Sequence, residues 1–422
     1  MAKAMATGSP SLMRQLNLTS VLSVIREQGP LPRPELARAT GLSMPTVKQL
    51  VDVLMAKGYV EEVDPPAGID SPRRPGPRAR FVSFRATFGY VLAVDVGAHN
   101  TVAKLADLSG SVVSTARVVH PERADRSAVL HAIRTSVDHV YADSGVQPGD
   151  VRAMVIGTPG VVDPRTGEVT LAPQIAQWDG IDLRSQLSDI IHFPIVVENE
   201  AHLSLLAEQW IGAAHKHLNV VYIQLGIGIG AAILIDGRLY RGSSGAAGEI
   251  AYLVTDADVD QPHESAAGPF EWFAGGDAFR RRGAMAAIGG RGATLLSLAG
   301  GDPEAVTAQI VFDAAATGDA AALDVATSIL ERLGREVANI ASILNPDLIL
   351  LGGGIAKAGD MVLRPIREAV ARFAPRPPPV HLSDLGGDGA VLGAIRRAMD
   401  IADEATFSFM ATPESYSEEA SS

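Results

Sequence analysis

Apolar positions change period along this chain, and each change marks a different kind of element. Leu18, Val21, Leu22 and Ile25 recur at helical spacing, predicting a helix over residues 17–27 that Gly29-Pro30 ends. A short helix over 34–40 turns Leu36 and Ala37 inward, and Gly41-Leu42 makes a tight turn. Val47, Leu50, Val51 and Leu54 then stand at i, i+3, i+4 and i+7, with Ser43 as N-cap and Pro45 in the first turn. Gly58 stops this third helix. Two short runs at 59–61 and 80–84 read as strands flanking a Pro-, Gly- and Arg-rich stretch at 65–77.

From Tyr90 onward short apolar runs alternate with helical stretches. Strands are predicted at 90–97, 101–106, 111–118, 151–156, 195–197, 220–224, 231–235 and 348–351. Helices are predicted at 128–141, 305–316, 320–344, 361–372 and 391–402. A strand ending in a glycine turn occurs twice, at Asp95-Val96-Gly97 and at Gly226-Ile227-Gly228-Ile229-Gly230, which predicts an internal repeat of two α/β halves around a cleft. Residues 403–422, rich in Ser, Thr and Glu, are predicted to be a disordered tail. The expected organisation is therefore 1–86, 87–402 and a tail.

Helix, short helix, glycine turn and capped helix form a helix-turn-helix pattern. The second helix of such a pair enters the major groove by its N-terminal end, so Ser43, Thr46, Lys48 and Gln49 are the candidate base-reading residues. The two strands make a wing whose Arg73, Arg74, Arg78 and Arg80 suit phosphate or minor-groove contact. A three-helix core with a solvated polar face is the plainer alternative. Charge favours DNA: residues 1–86 carry 12 Lys/Arg against 7 Asp/Glu, a balance of +5, whereas the rest carries 24 against 41, a balance of −17.

Bulk composition narrows the class. A hydrophobic fraction of 47% with 20% charged residues describes a soluble globular protein, and 422 residues imply two or three domains. The absence of cysteine excludes disulfides and thiolate metal sites. No signal-peptide pattern and no apolar run of about 20 residues is present, so the expectation is a cytoplasmic protein without a membrane span.

Candidate chemistry gathers at Glu198-Asn199-Glu200-Ala201-His202, where an apolar run gives way to a helical pattern. In an open α/β sheet, ligands sit at the carboxyl ends of strands. A carboxylate there suits either a general base for a substrate hydroxyl or a hydrogen-bond acceptor for a sugar.

Taken together the motifs resemble the ROK family of repressors and sugar kinases, which has an actin-like ATPase fold. The matching pieces are Asp95-Val96-Gly97, Thr158-Pro159-Gly160, Ala172-Pro173, Glu198-Asn199-Glu200, Gly226 to Gly230, Ala247-Gly248-Glu249-Ile250, Gly268-Pro269-Phe270-Glu271 and Gly352-Gly353-Gly354. The N-terminal winged helix-turn-helix matches the family's repressor branch. The resemblance implies an α/β architecture of two lobes behind the DNA-binding unit. It also implies a sugar pocket drawn from Gly160, Gln174, Asn199, Glu200, Glu249, Tyr252 and Glu271, with Gln174 replacing the family asparagine and Tyr252 the family histidine.

Departures from the family pattern bear on catalysis. The first phosphate loop of family kinases reads D-x-G-G-T, and here Ala98 and His99 take the last two places. The second reads G-T-G-x-G, and Ile227 replaces its threonine. Glu200 stands where the kinases carry their aspartate base, and its extra carbon–carbon bond moves the carboxylate by roughly 1.5 Å. Phosphoryl transfer depends on positioning, and a misplacement of about 1 Å can cost on the order of 100-fold. The family zinc site lacks its cysteines, leaving His263 alone, so no zinc is expected. The expectation is a sugar-responsive, DNA-binding repressor, a homodimer or homotetramer on a near-palindromic operator, with no catalytic residue and no cofactor. An active ATP-dependent sugar kinase carrying a DNA-binding module is the rival.

Overall fold

The computed structural model describes residues 10–65, 80–121, 124–254 and 268–411. The N-terminal unit comprises helices α1 (Pro10–Gln28), α2 (Arg33–Thr40) and α3 (Met44–Ala56), with strands β1 (Leu31–Pro32), β2 (Val60–Val63) and β3 (Phe81–Phe84). The Ser43 hydroxyl accepts from the Thr46 N–H at 3.3 Å, the predicted cap of α3. Val47, Leu50, Val51 and Leu54 of α3 bury against Leu18, Val21, Leu22 and Ile25 of α1 and Leu36 of α2. The strands form an antiparallel sheet in the order β1-β3-β2, which ties the α1–α2 corner to the root of the wing. Arg73, Arg74 and Arg78 lie outside the described residues.

The body has two lobes. The first contains β4 (Tyr90–Val96), β5 (Asn100–Asp107), β6 (Val112–Val119), α4 (Arg126–Ser144), β7 (Val151–Thr158), a small ribbon of β8 (Val161–Val162) and β9 (Val169–Thr170), α5 (Leu183–Leu187), β10 (Ile195–Asn199) and α6 (Glu200–Ile211). The second contains β11 (Val220–Leu225), β12 (Ile229–Ile235), β13 (Arg238–Leu239), α7 (Pro269–Ala274), α8 (Gly276–Ile288), α9 (Ala293–Leu298), α10 (Ala308–Ala316), α11 (Ala320–Leu344), β14 (Leu348–Gly352), α12 (Asp360–Phe373) and β15 (Val380–Leu382). The last helix, α13 (Gly389–Ala411), returns to the first lobe.

The two sheets repeat one another. Their orders are β6-β5-β4-β7-β10 and β13-β12-β11-β14-β15, antiparallel in the opening meander and parallel thereafter in both. The parallel strands β4, β7, β11 and β14 are buried almost throughout, as strands covered by helices on both faces must be. In the first lobe, β4 and β7 pack against α6 and α13 through Val91, Ala93, Ala153, Val155, Leu203 and Ile395. The two helices touch at backbone distance, because a Cβ on Gly393 would lie 1.8 Å from the Leu203 carbonyl.

Helix α13 differs from the sequence expectation. It runs to Ala411, past residue 402 where the apolar pattern ends. Its Asp400 and Asp403 carry ion pairs to Arg396 and Arg26, so charge pairing supports turns that hydrophobic periodicity does not mark. Among the described residues no helix is long and apolar enough to cross a membrane.

Candidate functional site

The junction between β10 and α6 is built by one side chain. The Asn199 carbonyl oxygen accepts from the Ala201 N–H at 2.8 Å and the His202 N–H at 3.2 Å, capping α6, while its amide donates to the Gly160 carbonyl at 2.8 Å. One amide hydrogen remains for a ligand. Gly160 itself holds φ +92, and a Cβ there would lie 2.6 Å from the Thr170 carbonyl, so the turn after β7 admits only glycine. Behind it, the indole of buried Trp178 donates to the Thr158 hydroxyl at 2.8 Å.

This junction opens onto a cavity of about 190 Å³ between the lobes. Gly160, Gln174, Asn199, Glu200, Glu249, Tyr252 and Glu271, the seven residues singled out in the sequence, all line it. Ala98, Leu171 and the glycine turn from Gly226 to Gly230 also line it. The Gln174 carbonyl oxygen is buried without a hydrogen-bond partner among the described residues. The described lining includes no Lys or Arg, and residues 255–267, outside the described set, contain neither.

The carboxyl groups respond to this enclosure. Burial, with repulsion from Asp95, pushes the Glu200 pKa up to about 8, against a hydrogen bond from Gln224. Burial likewise raises Asp95 to about 7, although Arg117 opposes it. Glu249 and Glu271 are also raised, chiefly by burial. Glu271 accepts from the Ile229 N–H of the second glycine turn at 2.9 Å.

Glu198, one residue before the cap, faces away from this set. It accepts from His202 Nδ1 at 2.9 Å and from Arg241, whose Nε lies 2.9 Å away. Burial alone would raise its pKa, but these bonds and the Arg241 charge hold it at about 2. Arg241 follows β13, so the pair ties the first lobe to the second. The sequence reading missed both Arg241 and Gln224. Arg241 is 43 residues from its partner, and no local pattern signals such a pairing.

On the N-terminal unit, Ser43, Thr46, Lys48 and Gln49 occupy the cap and first two turns of α3, with Ser43, Lys48 and Gln49 exposed. The Ser43 and Thr46 hydroxyls lie 2.8 Å apart and engage one another. Arg80 lies at the wing root, half-exposed, and pairs with Asp64 at 3.1 Å and with Glu62. His263, the residue left at the family zinc site in the sequence reading, lies outside the described residues.

The ROK family model matches residues 91–400, nearly three quarters of the sequence. The chain belongs to the ROK family. The IclR helix-turn-helix domain matches residues 17–64. Along nearly its full length the chain is similar to the xylose repressor of Caldicellulosiruptor bescii, 26% identical over 95% of this chain and 99% of the relative. It is 30% identical to the glucokinase of Halalkalibacterium halodurans, over 72% of this chain and 93% of that enzyme. Among solved structures, the Streptomyces griseus ROK glucokinase in complex with glucose and AMPPNP superposes with a TM-score of 0.66, at 30% identity over 74% of this chain and all of that one. A ROK transcriptional regulator described as a homologue of the E. coli MLC protein gives 0.75 at 22% identity, over 94% of this chain and 99% of that one. The ROK body is thus accompanied by a DNA-binding unit that the kinase matches do not reach.

Proposed function

We propose that this protein is a sugar-responsive transcriptional repressor whose ROK pocket binds an unphosphorylated sugar and transfers no phosphoryl group. The observation that carries the reading is the bond from the Ile229 N–H to Glu271. It occupies an amide of the second glycine turn with a side chain of the sugar pocket, where a kinase needs that turn for phosphate. Glu200 supports the same reading. A general base must be ionised at working pH, and a carboxyl with a pKa of about 8 is mostly protonated at neutrality. Hydroxyls suit the pocket because its carboxyl, amide and phenol groups offer donors and acceptors, with no Lys or Arg among the described lining residues to hold a phosphate.

The full-length similarity to proteins named xylose repressors makes D-xylose the first effector to try. The protein acts in the cytoplasm as a homodimer or homotetramer, and α3 with its Ser43, Thr46, Lys48 and Gln49 reads half-sites of a near-palindromic operator. Arg80 and the wing arginines Arg73, Arg74 and Arg78 contribute phosphate contacts. The kinase reading draws its support from the 30% identity to glucokinases.

One set of measurements separates the two. Thermal and chemical denaturation with D-xylose, D-glucose and N-acetyl-D-glucosamine, beside a coupled ATPase assay, is expected to show stabilisation without turnover. A sugar at 100 times its dissociation constant adds about 2.7 kcal/mol. Turnover above about 1 per second, abolished by Glu200→Gln, establishes the kinase instead.

A further inference from the structure

The DNA-binding unit is bolted to the body at a second polar cluster, far from the pocket. Arg26, on the last turn of α1, forms an ion pair with Asp403 of α13, and both side chains are largely buried. Its guanidinium also donates to the Leu108 carbonyl at 3.1 Å and lies 4.8 Å over the Phe84 ring. Leu108 belongs to the β5–β6 turn, whose Gly110 lies against both the Trp210 ring of α6 and Met399 of α13. One residue of α1 therefore meets two parts of the first lobe at once, α13 and the β5–β6 turn, while stacking on β3 of its own unit. Helix α1 also packs on α2 and α3, so it links this cluster to the DNA-reading helix.

Packing density differs along the route. Near its N-terminus α6 is pressed against α13, where Gly393 meets the Leu203 carbonyl. At the far end the Trp210 ring is pressed on Gly110, but the Arg26–Asp403 pair borders open space. A cavity of about 400 Å³ is bordered by Arg26, Phe84, Leu108, Trp210, Met399 and Asp403. A second, of about 410 Å³, also borders Trp210, with Leu206 and Arg396. Close-packed helices move together, whereas an ion pair beside unfilled space can change partners without a steric barrier.

We propose that the Arg26–Asp403 cluster is the control joint of the protein, through which occupancy of the pocket alters DNA binding, with α6 and α13 moving as one rigid pair. The pocket end of that pair is Asn199 and Glu200, which open α6, and the joint end is Trp210 and Asp403. This rests on the sugar-responsive reading given above. A ligand shifts DNA binding only if it favours one arrangement of this joint over another.

The test uses the full chain and an operator fragment recovered by mapping bound DNA across the genome. Operator affinity is measured with and without D-xylose and D-glucose, and sugar affinity is measured by calorimetry on the same samples. Wild type is expected to show a sugar-dependent change in operator affinity of about 5- to 150-fold. Asp403→Asn and Arg26→Gln are expected to bind sugar and operator yet show a response under about 2-fold, and the exchanged pair Arg26→Asp with Asp403→Arg to regain it. Asp403→Asn leaves the helix-turn-helix core untouched, so it reports even if Arg26→Gln unfolds that unit. Single variants that respond like wild type overturn the joint while leaving the sugar reading intact. So does a lost response that the exchanged pair fails to restore. A wild-type protein whose operator affinity neither those sugars nor a wider sugar panel changes overturns the sugar reading, and the joint with it.

Discussion

Glu198 and Glu200 stand two residues apart on either side of the Asn199 cap, and their surroundings set them far apart in acidity. Burial pushes both upward. Glu198 meets Arg241 and His202 and stays ionised with a pKa of about 2, whereas Glu200 faces Asp95 and Glu249 with only Gln224 to help it and rises to about 8. The difference teaches that a cation in reach, rather than burial, decides the charge of a carboxyl here. It also divides labour: a permanent anion fastens the lobes together, and a largely neutral carboxyl is left to line the cavity.

The contrast is most easily broken at the fastened side. Glu198→Gln strands the Arg241 guanidinium, and urea denaturation at pH 7 is expected to show a loss of about 3 kcal/mol. Glu200→Gln removes no ionised partner and is expected to leave stability at pH 7 unchanged or higher. Equal losses in the two variants would erase the distinction.

The next effect is on pH dependence. Glu200 keeps a proton in the folded protein that the unfolded chain releases near its ordinary pKa of 4.5. Its contribution is therefore full below about pH 4.5 and is lost as pH rises toward 8; Asp95 acts in the same sense up to about 7. Glu198 acts in the opposite sense, contributing above about pH 4.5 and losing that contribution as pH falls toward 2. Urea midpoints across pH 5–8 should fall in wild type and fall less in Glu200→Gln. The difference is expected to be about 1–3 kcal/mol, since cavity water screens the carboxyl. Identical slopes would place the Glu200 pKa in the ordinary range. Asn199→Ala carries a smaller stability loss than Glu198→Gln, about 1 kcal/mol for a lost cap, but removes a donor that lines the pocket. It is expected to weaken sugar binding in calorimetry more than it lowers the melting temperature.

Much of this arrangement is written locally. The α3 cap is declared by Ser43 and its periodic apolar face, and the repeated strand-and-glycine turns announce two lobes whose sheets have the same order. The seven pocket residues follow from family motifs that fall on one cavity. Strands of two or three residues, such as β1 and β15, are too short to show alternation. Arg241 and Arg26 acquire their roles from partners 43 and 377 residues away, and pairings at such separations leave no mark on neighbouring positions. The C-terminal turns of α13 are polar, so the pattern that marks a buried helix face fades before the helix does.

The twelve residues of α6 span about 18 Å, with Glu200 at one end and Trp210 beside the other. On the proposed function and joint, residues that choose a ligand and residues that transmit its arrival are different sets, three turns apart. Exchanging Gln174 or Tyr252 would then retune the sugar while the wiring to the operator stays in place.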